Sequence, residues 1–365
     1  MIPAIAAAVA IPLAFLYLVR WLDLYASGSF RTVLLCLAWG AVAFFGALQA
    51  NSYALGFVGF TTLVTVVAPT VEELLKSLVL VYLVRRPQFT YFVDGAIYGF
   101  ASGTAFAVLE NLLYLSRAGE DTGIVVTLSR AFSTSLMHGS ASALVGVSLG
   151  RLRFGRGPSR VASLVLGWGA AFALHAGYNN IINIGQGATV LVMAVGTGLG
   201  GVGLIAGFIL WGLTEERRWL QQTLGLDIGV SSAESAVIQK MADLDTLLEP
   251  IGERFGPEKK RQVQTFLQLQ AQLGLKRKVQ EMAGDPGLKE ELAREIAILR
   301  KDMDLLRRDV GVYCMTYVRS ILPPETEPVW VRLGETLAAR EAAAPSRSLW
   351  KSLGDKMAKS SEETL

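Results

Sequence analysis

Apolar residues in the first 213 positions fall into seven long runs, at 1–19, 32–50, 60–84, 92–116, 124–149, 161–182 and 188–213. Each is near or above the roughly 20 residues a helix needs to cross a bilayer, so the pattern predicts seven spans. The first run, MIPAIAAAVAIP onward, lacks the basic flank and small-residue cleavage site of a signal peptide and reads as a retained helix. Pro69 should kink the third span or close a short outer helix before it, and the carbonyl it frees must find another donor. Beyond 213 the pattern changes. Residues 258–282 are charged and glutamine-rich, with Val263, Phe266, Leu267, Leu269 and Leu273 forming part of one surface, and a GDPG turn follows at 284–287. Leu292, Ile296, Leu299, Met303, Leu306 and Val310 then alternate at spacings of four and three, which predicts an antiparallel hairpin or a short coiled coil. The expected fold class is all-α: a polytopic helical membrane protein with a C-terminal helical cytoplasmic domain. Its predicted parts are a transmembrane core at 1–213, a helical domain at 214–322 and a mobile, Pro-, Ala- and Ser-rich tail at 323–365, where SLWKSLGDKMAK could touch lipid as an amphipathic helix.

Charge sharpens the division. Only seven acids and eleven bases precede residue 214, against 24 acids and 23 bases after it, so the net charge of +3 adds up two different solvents and says little about partners. Arginines crowd alternate loops, at Arg20 and Arg31, at Arg85 and Arg86, at Arg151 to Arg160, and after the seventh span at Arg217 and Arg218. The positive-inside rule then puts the amino terminus outside and the C-terminal domain in the cytoplasm. Two cysteines, Cys36 and Cys314, one in each half, exclude a disulfide framework and a CxxC metal site.

What changes the picture most is the ionisable chemistry inside the spans. APTVEELLKS, residues 68–77, places Glu72, Glu73 and Lys76 in an apolar run, and Lys76 is the sole lysine before Lys240. Charge at membrane depth is expensive, so a functional site is the default reading and a buried ion pair between helices the plainer one. Helical spacing puts Glu72 and Lys76 on one face and turns Glu73 by about 100°, so one carboxylate should pair with the lysine and the other point elsewhere. Counted at about 1.5 Å per residue from the nearest cytoplasmic charge on each helix, Glu72, Glu73, Glu110, His138 and His175 all lie about 18 to 24 Å above the cytoplasmic edge. Four helices with polar groups at one level point to a shared cavity. His138, His175 and Glu110 form a His, His, Glu set suited to catalytic zinc, with Glu72 or Glu73 free to take a proton from bound water. A metal-free route is also open, in which a glutamate activates water while His175 and Asn179, one turn apart, stabilise the oxyanion. For either histidine alone, a hydrogen-bonded core residue is the plainer alternative.

These segments, APTVEELLK, DGAIYGFASGTAFAVLENLLY, SLMHGSASALVG and ALHAGYNNIIN, resemble the successive motifs of the PrsW family of intramembrane proteases, relatives of the CAAX prenyl endopeptidases. The family's EExxK matches Glu72, Glu73 and Lys76, its FxxxE matches Phe106 and Glu110, and its HxxxN matches His175 and Asn179. The resemblance covers about 65–213. It implies a polytopic endopeptidase that cuts a membrane-embedded, single-span protein such as an anti-sigma factor, with zinc assigned by analogy. With the amino terminus outside, the cut should fall near the outer side of the bilayer.

Glycines at 95, 99 and 103 form a small-residue stripe suited to close helix packing, and the denser set from Gly196 to Gly212 could pack on a neighbouring helix or on a second copy of the protein. Membrane lipid is an expected partner and nucleic acid is not. The rival readings are a non-enzymatic membrane scaffold or receptor with a structural polar cluster, and an ion-coupled carrier, disfavoured because the two halves show no repeat.

Overall fold

The computed structural model describes residues 2–25, 28–118, 123–154, 158–184, 187–223, 238 and 244–321. Its membrane-type part runs α1 (Ile2–Trp21), α2 (Phe30–Ala54), α3 (Phe60–Thr62), a π-helical turn (Leu63–Val67), α4 (Ala68–Leu83), α5 (Phe92–Ala118), α6 (Gly123–Phe132), α7 (Thr134–Phe154), α8 (Pro158–Ile184) and α9 (Gly187–Thr223). Then follow α10 (Leu244–Leu247), α11 (Glu249–Phe255), α12 (Pro257–Met282), α13 (Pro286–Val310) and α14 (Val312–Ile321), with no strand among the described residues. Among those residues five helices are long and apolar enough to cross a membrane, at Ile2–Trp21, Phe30–Ala54, Phe92–Arg117, Val161–Ile184 and Ala188–Thr223.

The other two predicted spans, 60–84 and 124–149, are assembled from shorter pieces. In the first, the π turn Leu63–Val67 separates α3 from α4, and Pro69 stands in the first turn of α4 directly after it. In the second, the helix breaks at Ser133. The hydroxyl of Ser133 donates to Ser129 O, and Tyr178 Oη on α8 lies 2.9 Å from Ser133 Oγ and 2.6 Å from Thr134 Oγ1. Hydroxyl side chains that bond the backbone of the preceding turn weaken the helix there, and the tyrosine holds the break open.

Beyond that break, α7 is buried from Thr134 to Gly150 without interruption. It is the central helix, packed by α4, α5, α6, α8 and α9. Its run of Gly, Ala and Ser, low in hydropathy for a span, suits a helix surrounded by other helices instead of lipid. The glycine stripe of α5 does pack closely. A Cβ on Gly95 would lie 2.1 Å from Gly146 O, one on Gly99 2.3 Å from Ser142 O, and one on Gly103 2.2 Å from His138 O. Only hydrogen fits at those distances, so the stripe fixes how near α5 and its Glu110 come to His138. In α9, Gly198, Gly201 and Gly212 likewise meet neighbouring elements, whereas Gly196, Gly200, Gly203 and Gly207 face open space.

The C-terminal hairpin forms as the alternation predicts, with α12 and α13 joined through Asp285, whose carboxylate accepts from Gly287 N at 3.1 Å. Val263, Phe266, Leu267 and Leu273 are buried, as are Leu292, Ile296, Met303 and Val310. α9 continues unbroken past the predicted boundary at 213 to Thr223, and α12 packs against it. Lys276 Nζ donates to Pro87 O at 3.0 Å and pairs with Glu295 at 2.7 Å, tying the hairpin to the connection between α4 and α5. The tail predicted at 323–365 lies outside the described residues.

Candidate active site

Four helices deliver the polar residues to one place: α4 brings Glu72, Glu73 and Lys76; α5 brings Phe106 and Glu110; α7 brings His138; α8 brings His175 and Asn179. Glu73 and Lys76 are fully buried and joined at 2.6 Å. Of the two carboxylates that the helical spacing offers the lysine, the partner is Glu73, although Glu72 lies on the four-apart face of Lys76. Residues three apart share a face as well as residues four apart, and it is Glu73 that points into the bundle. One carboxylate is tied to the lysine and the other is not, as the spacing predicts. Glu73 Oε1 also accepts from His175 Nδ1 at 2.8 Å, and Ser142 Oγ donates to Glu73 Oε2 at 3.3 Å.

His175 therefore spends its Nδ1–H on a carboxylate and turns Nε2 toward Glu72, 3.7 Å away. That tautomer and orientation are those of a carboxylate-supported histidine ligand. His138 stacks edge-on against His175 with ring centroids 4.6 Å apart, and lies 5.2 Å from the Phe106 ring. The same phenyl ring carries Lys76 Nζ at 4.8 Å. The four-residue spacing of Phe106 and Glu110 thus serves one face: the ring props the histidine and the carboxylate, at 2.9 Å, meets its Nε2.

Glu72, His138 and His175 each offer one ligand atom, and the three atoms lie within 4.8 Å of one another. Around a tetrahedral zinc with bonds of about 2.0–2.2 Å, ligand atoms stand roughly 3.4 Å apart, so a contraction of rotamer size would close the set. The sequence reading gave Glu110 the carboxylate position in that set. In the structure Glu110 is the more exposed partner: it pairs with His138 and, at 3.3 Å, with Arg130, while Glu72 approaches His175. Glu72 is held by Asn51 Nδ2 at 3.1 Å.

Two cavities, of 340 and 660 Å³, open onto this centre and share Val64, Glu72, Glu110 and Asn179 in their walls. Arg130, Asn51 and Ser142 are contributors that the sequence reading did not single out. Arg130 carried a usable signal, since an arginine in the apolar run 124–149 is as costly as the glutamates. Asn51 and Ser142 carried none.

The family model describing the PrsW family intramembrane metalloprotease matches residues 28–212. The chain is 33% identical over 112 residues to protease PrsW of Bacillus subtilis (strain 168), covering 30% of this chain and 50% of that protein. It is 26% identical over 138 residues to protease PrsW of Clostridioides difficile (strain 630), covering 38% and 56% respectively. It thus spans about half the length of the curated relatives it matches, and no solved structure gives a significant match. The matched stretch is just over half of the chain and holds every residue of the buried polar centre, so the chain belongs to the PrsW family of intramembrane metalloproteases.

Proposed function

We propose that this protein is an intramembrane endopeptidase that hydrolyses a peptide bond in a single-span membrane protein, of the kind represented by anti-sigma factors, near the outer side of the bilayer. One observation carries the reading: two histidines and a glutamate converge inside a helical bundle, beside cavities large enough for an unwound stretch of backbone. An unwound stretch is needed, because a helical substrate keeps its carbonyls hydrogen-bonded.

Glu72, His138 and His175 would hold a divalent ion, zinc by the character of the donors, which when bound lowers the pKa of a water and polarises a carbonyl. Glu73 is spoken for by Lys76 and His175, so its task is to orient His175 and balance the buried ammonium. Glu110, which lines both cavities and is the more exposed carboxylate beside Arg130 and His138, would take the water's proton as the oxygen attacks the carbonyl carbon, and return it to the leaving nitrogen when the C–N bond breaks.

A second reading rests on His138, whose Nδ1 lies 2.9 Å from Lys76 Nζ while Nε2 meets Glu110. With both nitrogens engaged, the site can also run without metal, Glu72 acting as the base. Elemental analysis and cleavage of a single-span reporter separate the two. Under the metal reading, Glu110→Gln keeps the bound ion and loses at least about 100-fold in rate, while Glu72→Gln loses both. Metal-free wild-type protein that cleaves at full rate would overturn the zinc assignment, and no cleavage of any single-span substrate would overturn the protease. The scaffold alternative would then stand.

A further inference from the structure

We infer that Asn179 is a positioning residue: its side-chain amide replaces the backbone N–H that Pro69 lacks, holding open the π turn that sets the direction of Glu72 and Glu73. The inference deepens the protease reading and rests on it for its effect on rate.

The hydrogen-bond register requires such a donor. At the end of the π turn the amide of Ala68 reaches back five residues to Leu63 O. In that register the next amide, that of residue 69, would meet Val64 O. Residue 69 is a proline, so Val64 O is left without its backbone donor, and the proline ring also clashes with an α-register carbonyl four residues back. Asn179 Nδ2 donates to Val64 O at 2.8 Å, from a helix 115 residues away in sequence. Proline thus favours the wider turn, and asparagine satisfies the carbonyl the wider turn orphans.

The consequence falls on the carboxylates. A π turn inserts one residue relative to an α-helix, which rotates everything after it by about 100° relative to what came before. Glu72 and Glu73 begin four residues past Ala68, in the first turns of α4, and their aim depends on that added rotation. Asn179 lies one turn beyond His175 on α8, so a single helix face both receives the Glu73 carboxylate and latches the turn that points it. The bond to Val64 O uses one of the two N–H groups of the Asn179 amide, and the other stays available on the cavity side.

The test is a double-mutant cycle between positions 69 and 179 in the full-length, detergent-solubilised protein, read by thermal unfolding and by kcat and KM on the single-span reporter. Asn179→Ala should lower Tm by about 2–4 °C, the loss expected for a part-buried carbonyl left without its donor, and kcat by about 100-fold with KM little changed. Pro69→Ala restores a backbone N–H at position 69, so in that background the same Asn179→Ala change should cost less than half as much Tm. Asn179→Asp, equal in size but without the donor, should repeat both results if the alanine variant fails to fold. Additive losses in Tm, with Asn179→Ala equally harmful whether residue 69 is proline or alanine, would overturn the inference and return Asn179 to direct contact with substrate. Because the Tm cycle needs no substrate, it decides the latch even if the protein proves not to be a protease.

Discussion

Two ion pairs in this molecule share a length of 2.6 Å and a spacing of three residues along a helix, yet do opposite work. Lys76–Glu73 in α4 is wholly buried, while Arg261–Glu258 in α12 leaves both side chains about two-thirds or more exposed. Water screens the second pair and can replace either partner, so such contacts contribute little. The first pair has no such substitute, and each of its members is also bonded to a histidine from another helix. A charge in the hairpin is part of a solvated face. A charge in the bundle is a commitment by four helices.

The largest expected effect comes from breaking the buried pair. Lys76→Met leaves Glu73 charged and uncompensated, with an expected cost of about 3–5 kcal/mol and loss of detectable cleavage, measured by thermal unfolding and reporter proteolysis. Methionine tolerated at wild-type stability would mean that the pair is incidental. Next comes the packing that carries the centre. Gly103→Val drives side-chain atoms into His138 O and should cost at least about 1–3 kcal/mol in melting experiments. Gly203→Val, at a position with open space around it, provides the contrast and should be near neutral. The smallest effect belongs to the hairpin pair. Arg261→Ala should change stability by less than about 1 kcal/mol and leave the cleavage rate within experimental error. A loss of cleavage there would mean that the hairpin takes part in the reaction.

Much of this was legible along the chain because membrane depth makes polarity informative. Glu72, Glu73, Lys76, Glu110, His138 and His175 stood out since each is costly in an apolar run, and the structure gathers all six around one centre. The α5 stripe at Gly95, Gly99 and Gly103 was read as a close-packing surface, and it is one. The hairpin was legible from its alternation of fours and threes. The break at Ser133 was not, because it depends on Tyr178, 45 residues further on. Nor was the choice of Glu73 over Glu72 as the partner of Lys76, since spacing allows both and only the direction of the bundle interior chooses between them.

The sequence by itself determined the helical class, the runs that form the spans and the side chains that had to find partners, because burial of charge and of backbone amides leaves a chain no cheaper alternative. Tertiary structure alone decided which partners they found. The distance from Gly103 to His138 O, the π turn before α4 and the bond from Asn179 to Val64 O set the rotation and approach of each helix. Those are relations between segments that periodicity within one segment does not encode. That is why Glu72 stands with the two histidines, their ligand-type atoms within 4.8 Å of one another, and Glu110 lies beside them against Arg130.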